Sequence, residues 1–350
     1  MEESVMTNFP KTIENEQQLE ELLSRPTAEV IDYFKTLEGD IIFLGIAGKI
    51  GPSIARMAKR ACVEAGIAKR IIGVSRFSNE REKSQIKSFG IETIRGDLLD
   101  PEFVKSLPQV RNVIYLAGMK FGAEGNLALT WAMNTYVPAL VAEHYKNSKI
   151  VAFSTGCVYP LVRIESGGSL ETDKPVAIGE YAQSCLGRER MFEFGSIKYN
   201  TPTVLIRLNY SVEMRYGVLV DVASKVKNDE LVDLSMGYFN VIWQGDMNAM
   251  SLLTLAHCTS PANVINLTGP ETLSVRQVAI EFGKLFGKNP KFTGHEAPTA
   301  LLSNATLSHN IFGKPNVSTE LMIQWIAHWI SHENRLLNKQ THFEVRDGKY

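Results

Sequence analysis

The chain has 350 residues, 44% hydrophobic and 21% charged, with a formal net charge of −1. That composition suits a globular protein with a sizeable core, organised as one large domain or two smaller ones. The balanced charge gives no basic field for nucleic acid or an anionic membrane, and no apolar run approaches the ~20 residues of a membrane span.

The N-terminus, Met1-Glu-Glu-Ser, lacks the basic and apolar regions of a signal peptide, so a cytoplasmic protein is expected. The four cysteines, Cys62, Cys157, Cys185 and Cys258, have neither metal-like nor disulfide spacing, which predicts reduced thiols and no metal. The glycosylation patterns at Asn266, Asn304 and Asn316 are then accidental.

Residues 1–39 read as a helical extension. Leu19, Leu22 and Leu23, then Val30, Ile31, Phe34 and Leu37, recur at helical spacing, and Pro26 divides them into two short helices. Their apolar faces require a partner, either the main domain or another subunit. From Asp40 the pattern becomes strand, glycine loop, helix. Strands are predicted at 41–45, 70–74, 91–94, 113–116, 150–153 and 203–207, mostly separated by helical stretches, the first of them at 51–65. This alternation predicts an α/β fold, a Rossmann-type doubly wound parallel sheet over 40–210 that 241–261 joins. Residues 211–240 and 262–333 are expected to form a smaller substrate domain, and 334–350 a polar, poorly ordered tail.

Gly45-Ile-Ala-Gly48-Lys49-Ile50-Gly51 joins the first strand to the first helix. A dinucleotide pyrophosphate needs close backbone approach and the free amides of a helix N-terminus, and glycines permit both. The second strand ends at Ser75-Arg76, where a ribose-binding acid is usual. A guanidinium without a carboxylate beside it suits a 2′-phosphate, so the sequence favours NADP over NAD. Lys49 is expected to add positive charge to that pocket. Asp97-Leu98 is placed to meet the adenine amino group, and Ala117, Gly118 and Lys120 to lie near the pyrophosphate, although ordinary turn chemistry would explain these residues equally.

In order and spacing, Gly45/Gly48/Gly51, Asp97-Leu98, Leu116-Ala-Gly-Met-Lys120, Asn134, Ser154-Thr155-Gly-Cys-Val-Tyr159, Tyr181 and Arg207-Leu-Asn209 resemble the extended short-chain dehydrogenase/reductase family. The resemblance spans roughly 40–330. It implies hydride transfer on a carbohydrate hydroxyl, with Thr155 orienting the oxygen and Tyr181 exchanging the proton. It also implies a homodimer formed by helices around 126–146 and 181–197, and cofactor contacts from Lys120, Asn134 and the position of Cys185.

Cys185 stands where the family carries lysine. A neutral thiol cannot stabilise a tyrosinate as an ammonium does. Arg188 lies on the same helical face, so it is the candidate source of the missing charge; Lys120 is a second. Thr155-Gly156-Cys157 lacks the acids of the sugar-nucleotide dehydratases. Phe239 replaces an Arg that binds diphosphate in many relatives, with Arg215 or Lys225 as candidate substitutes. Asn209, Arg215 and Trp243 complete the candidate substrate residues. The chain is thus expected to be an NAD(P)-dependent epimerase or oxidoreductase acting on a small sugar, sugar acid or similar alcohol. The alternative is a dinucleotide-sensing protein without turnover.

Overall fold

A computed structural model describes residues 9–120 and 125–349, so residues 1–8 of the N-terminal extension lie outside the described part. Seven strands make the central sheet: β1 (Ile41–Leu44), β2 (Ile71–Ser75), β3 (Glu92–Arg95), β4 (Asn112–Tyr115), β5 (Lys149–Thr155), β6 (Thr203–Leu208) and β7 (Asn263–Leu267). Their spatial order is β7-β6-β5-β4-β1-β2-β3, and every adjacent pair is parallel. The order reverses between β1 and β4. In open parallel sheets that reversal opens a ligand crevice beyond the carboxyl ends of the strands.

Burial on both faces explains the strand composition. Ile41 and Phe43 face one apolar layer while Ile42 and Leu44 face the other, and all four are fully buried. Strand β7 departs from the predicted division of the chain, which placed residues 262–333 in the substrate domain. It extends the sheet by pairing with β6, from Asn263 opposite Val204 to Leu267 opposite Leu208.

The extension forms α1 (Glu16–Leu23), capped by Asn15, and α2 (Ala28–Thr36), capped by Thr27. Its partner is the chain itself. Leu19, Leu22, Leu23, Val30 and Phe34 are buried, and each such burial contributes roughly 1.5–3 kcal/mol. The extension grips both halves of the molecule. Arg60 on α3 (Gly51–Glu64) pairs with Glu21 at 3.0 Å, while Trp325 donates its indole N–H to the Pro10 carbonyl at 2.9 Å.

Five further helices or helical turns matter for the site. Asn134 sits on a π-helical turn, Ala132–Tyr136, a geometry frequent at functional sites. The long helix α4 (Gly179–Tyr199) carries Tyr181, Cys185 and Arg188. Helices α5 (Val218–Lys227) and α7 (Thr319–Ser331) pack the second core, which includes Trp243, Phe239 and Trp325, while α6 (Gln244–Leu253) buries Met247, Ala249, Met250 and Leu252 against the sheet. No described helix is long and apolar enough to cross a membrane.

The tail is packed, contrary to its polar composition. Phe343 is 1% exposed within the second core, and Thr341 is buried against Asp221.

Candidate active site

The glycine loop lies at the sheet's reversal point, directly after β1. Gly45 has φ +89°, and a Cβ there would stand 2.6 Å from the Ala117 backbone nitrogen. A Cβ on Gly51 would stand 2.1 Å from the Ile46 carbonyl oxygen. Glycine is therefore required at both positions. Pro52 occupies the first turn of α3 and no side chain caps that end. Its leading amides and the bare loop fit a pyrophosphate, which is the test a dinucleotide site must pass. Gly48 is exposed, and its amide bonds the Gly45 carbonyl at 3.1 Å to close the turn. Ile50 stands at the N-cap in helical conformation.

Around this loop the predicted cofactor residues take different places. Asp97 and Leu98 follow β3, and the Asp97 carboxylate accepts from the Leu99 amide at 3.0 Å. Ala117 and Gly118 follow β4 beside the glycine loop. Ser75 closes β2, and Arg76 is exposed beyond it. Lys49 does not reach the Arg76 side. Its ammonium bonds the Ser211 carbonyl at 3.3 Å and lies 3.9 Å above the Tyr216 ring, bridging the loop to the substrate half. Burial there pushes Lys49 down to about 7.

The reacting-centre candidates sit at the carboxyl end of β5. Thr155 is partly exposed, and its hydroxyl accepts from the Cys157 amide at 3.1 Å. Helix α4 packs across the short turn Gly156–Val158 that follows, setting Tyr181 against Val158 and Tyr159. The Tyr181 hydroxyl donates to the Cys185 sulfur. Burial, followed by the neighbouring cysteines, holds Tyr181 well above the usual phenol range, while Arg188 pulls it down. The Cys185 thiol is fully buried and is likewise pushed up by desolvation.

Arg188 is buried behind this pair. It donates to the Phe153 carbonyl at 2.8 Å and to Asn134 Oδ1 at 2.7 Å, and its Nε has no partner. A Cβ on Gly118 would stand 2.3 Å from Arg188 Nη2, so the glycine after β4 makes room for the guanidinium. Asn134 donates in turn to Ser184 Oγ at 2.9 Å and approaches Cys185 Sγ at 4.0 Å. The result is a continuous line from Tyr181 through Cys185 and Asn134 to Arg188.

A second network, absent from the sequence-based candidates, fixes the same elements from behind. Glu189 is fully buried; it takes two bonds from Arg207, at 3.0 and 2.8 Å, and one from Ser154 Oγ at 2.5 Å. Arg207 also donates to the Tyr159 hydroxyl at 2.8 Å, which donates to Asn266 Oδ1 at 2.9 Å. Bidentate pairs of this kind are geometrically stringent, so β5, β6, β7 and α4 are tied in one register. The sequence offered Ser154, Tyr159 and Arg207 as members of the family-like motifs, with nothing to join them to Glu189.

Three candidate substrate residues serve other ends. Trp243 is 1% exposed and packs edge-on against Trp325 with centroids 5.3 Å apart, which makes it core rather than a sugar platform. Arg215 is ringed by Glu16 at 3.3 Å, Glu20 at 2.8 Å and Glu213 at 3.1 Å. Asn209 is buried, lies against Gly156, and donates to the Leu301 carbonyl at 3.4 Å. Lys120 donates to the Thr341 carbonyl at 3.2 Å. Among the described residues no group of His, Cys, Asp or Glu could hold a metal ion.

No family model and no curated protein matches the sequence. Solved structures do match the fold. UDP-glucuronic acid 4-epimerase from Bacillus cereus, crystallised as a mutant with UDP-4-deoxy-4-fluoro-glucuronic acid and NAD, has a TM-score of 0.69 at 17% identity, covering 84% of this chain and 99% of its own. UDP-glucose 4-epimerase from Thermus thermophilus, in complex with NAD, gives 0.67 at 19% identity, covering 83% and 99%. dTDP-glucose 4,6-dehydratase from Streptomyces venezuelae, with NAD and TYD bound, gives 0.70 at 15% identity, covering 84% and 97%. The chain therefore has the Rossmann-type fold of the epimerase and dehydratase structures. The preference for NADP is overturned: these neighbours hold NAD. What is fixed at Arg76 is its carbonyl, bonded by Arg95 at 3.0 Å, while the side chain lies in solvent.

Proposed function

We propose that the chain is an NAD-dependent enzyme transferring hydride to or from a carbohydrate carbon that bears a hydroxyl group, as an epimerase or an oxidoreductase. One observation carries this reading. A loop fitted to a pyrophosphate and a hydroxyl pair, Thr155 and Tyr181, stand at the same carboxyl edge of the sheet. A protein that only bound a dinucleotide would need no such pair. The glycine loop, with Asp97 and Gly118 at the neighbouring strand ends, would hold NAD, which would supply the hydride acceptor when bound.

Tyr181 exchanges the substrate hydroxyl proton, and Thr155 orients that oxygen. The tyrosine needs help to ionise near neutrality. Arg188 supplies it through space: its guanidinium favours the ionised tyrosine, against burial and the hydrogen bond to Cys185, which both hold the proton on. A buried guanidinium thus supplies the charge, while the thiol at the expected lysine position works against it.

The test is turnover of aldoses, ketoses and sugar acids by the purified chain with NAD. Persistent reduced-nicotinamide absorbance is expected of a dehydrogenase, and epimer formation without net reduction of an epimerase. Tight NAD binding with neither product would instead support the second reading, a dinucleotide sensor, which the protonated Tyr181–Cys185 pair favours.

A homodimer is also part of this reading. Leu127, Trp131, Tyr136, Phe194 and Ile197 are exposed apolar side chains within the two helical regions that would pair. Light scattering should give twice the chain mass, and Phe194→Glu with Ile197→Glu should give the single mass. A monomeric parent chain would refute the dimer.

A further inference from the structure

We infer that the C-terminal tail is a wall of the substrate site, and that the site admits a carbohydrate carrying no nucleotide. The inference rests on the carbohydrate reading above.

The tail runs along the crevice between the two halves and is anchored on both. On the substrate half, the Thr341 amide and hydroxyl donate to Asp221 Oδ2 at 2.8 and 2.6 Å. Arg346 donates to the Ser235 carbonyl at 3.1 Å, the Thr299 carbonyl at 2.8 Å and Thr299 Oγ1 at 2.7 Å. On the sheet half, the Thr341 carbonyl takes the Lys120 ammonium at 3.2 Å. Gly348 then seats on the start of α4, two residues before Tyr181. It has φ +81°, and a Cβ there would stand 2.3 Å from the Ile178 carbonyl oxygen. Gly179 is packed as tightly from the other side, with its own Cβ position 2.4 Å from the Gly348 carbonyl oxygen. Two glycines facing each other let the strand of tail lie flat on the helix end.

This path decides what the crevice can accept. A nucleoside diphosphate needs cations for its phosphates, ideally a guanidinium. Arg215 is consumed by three glutamates, two of them from the N-terminal extension. Lys225 is paired at 3.3 Å with Glu344 of the tail. Phe239 is fully buried under the tail's Phe343, with ring centroids 6.0 Å apart. Both extensions thus place carboxylates on the cations and an aromatic pair where a charged ligand would have to pass. The neighbouring structures are covered over 97–99% of their own length but leave about a sixth of this chain over, a length that residues 1–39 and the tail together supply.

The experiment is calorimetric titration of UDP, and separately UDP-glucose, into the NAD-loaded protein. The full chain is expected to show no binding at millimolar ligand. A chain lacking residues 338–350, which removes the Thr341 carbonyl from Lys120 and Glu344 from Lys225, should bind UDP at least tenfold more tightly than the full chain. Where that deletion fails to fold, the double variant Phe343→Ala/Glu344→Ala, which removes the aromatic cover over Phe239 and the carboxylate on Lys225, is titrated in its place, with a gain of at least tenfold again expected. Full-length binding of UDP within tenfold of the opened variant overturns the inference, as does turnover of UDP-glucose by the full chain. Titration needs no turnover, so absence of any carbohydrate activity would strike the functional reading alone.

Discussion

Tyr181→Phe should lower kcat by about 10²- to 10⁴-fold, the range that a positioned acid–base group supplies, while NAD affinity and Tm stay near those of the parent chain. The fold survives because the hydroxyl contributes little to packing. Tyr181 is partly exposed, and its hydroxyl bonds the Cys185 sulfur, a weak acceptor. Catalysis does not survive, because among the described residues no other titratable hydroxyl reaches the edge of β5 with the same support. Tyr159 is committed between Arg207 and Asn266, and burial raises it as well. The measurement is single-turnover hydride transfer with saturating NAD, beside a binding isotherm and a melting curve. A rate within tenfold of the parent would remove Tyr181 from the chemistry and leave Thr155 without its partner.

The fold was largely legible because its signals are local. Most of the first six strands are short runs of Ile, Val, Leu and Phe buried on both faces, and the glycine loop follows the first of them at once. Strand β7 was not legible. Its sequence, Asn263-Val-Ile-Asn266-Leu267, is broken by polar residues whose partners are distant. Asn266 accepts from Tyr159 and donates to the Ser169 and Asn304 carbonyls, at 3.0 and 2.9 Å. The tail misled for the same reason. Its polar residues read as solvated, yet Thr341, Glu344 and Arg346 each meet a partner more than 45 positions away in sequence. Within the site, the helical period correctly put Tyr181, Cys185 and Arg188 on one face. It could not give the depth of Arg188, which depends on Gly118 seventy residues earlier. Trp243 illustrates the opposite error: an aromatic beside a glutamine suggests a sugar platform, but only packing reveals the Trp325 ring against it.

Arg188→Met should move the pH dependence of the rate. The guanidinium favours the ionised tyrosine, so its removal raises the Tyr181 pKa and shifts the alkaline-rising limb of the oxidative rate to higher pH. At pH 7 the rate should fall on the order of tenfold, with part of the loss recovered as pH rises toward the new limb. Methionine fills a similar volume without charge, but it leaves Asn134 Oδ1 and the Phe153 carbonyl without the guanidinium donor. Each buried acceptor stranded in this way costs about 1–3 kcal/mol, so a lower Tm is also expected. Stability loss alone would scale the whole profile down without moving its midpoint, which is how the two effects separate. Arg188→Lys provides the second control. It keeps the charge while losing the fork, so the limb should return toward its original position even though Tm stays low. If both variants left the limb where it was, the charge that ionises Tyr181 would have to come from elsewhere, and Lys120, now held by the tail carbonyl of Thr341, would be the next cation to test.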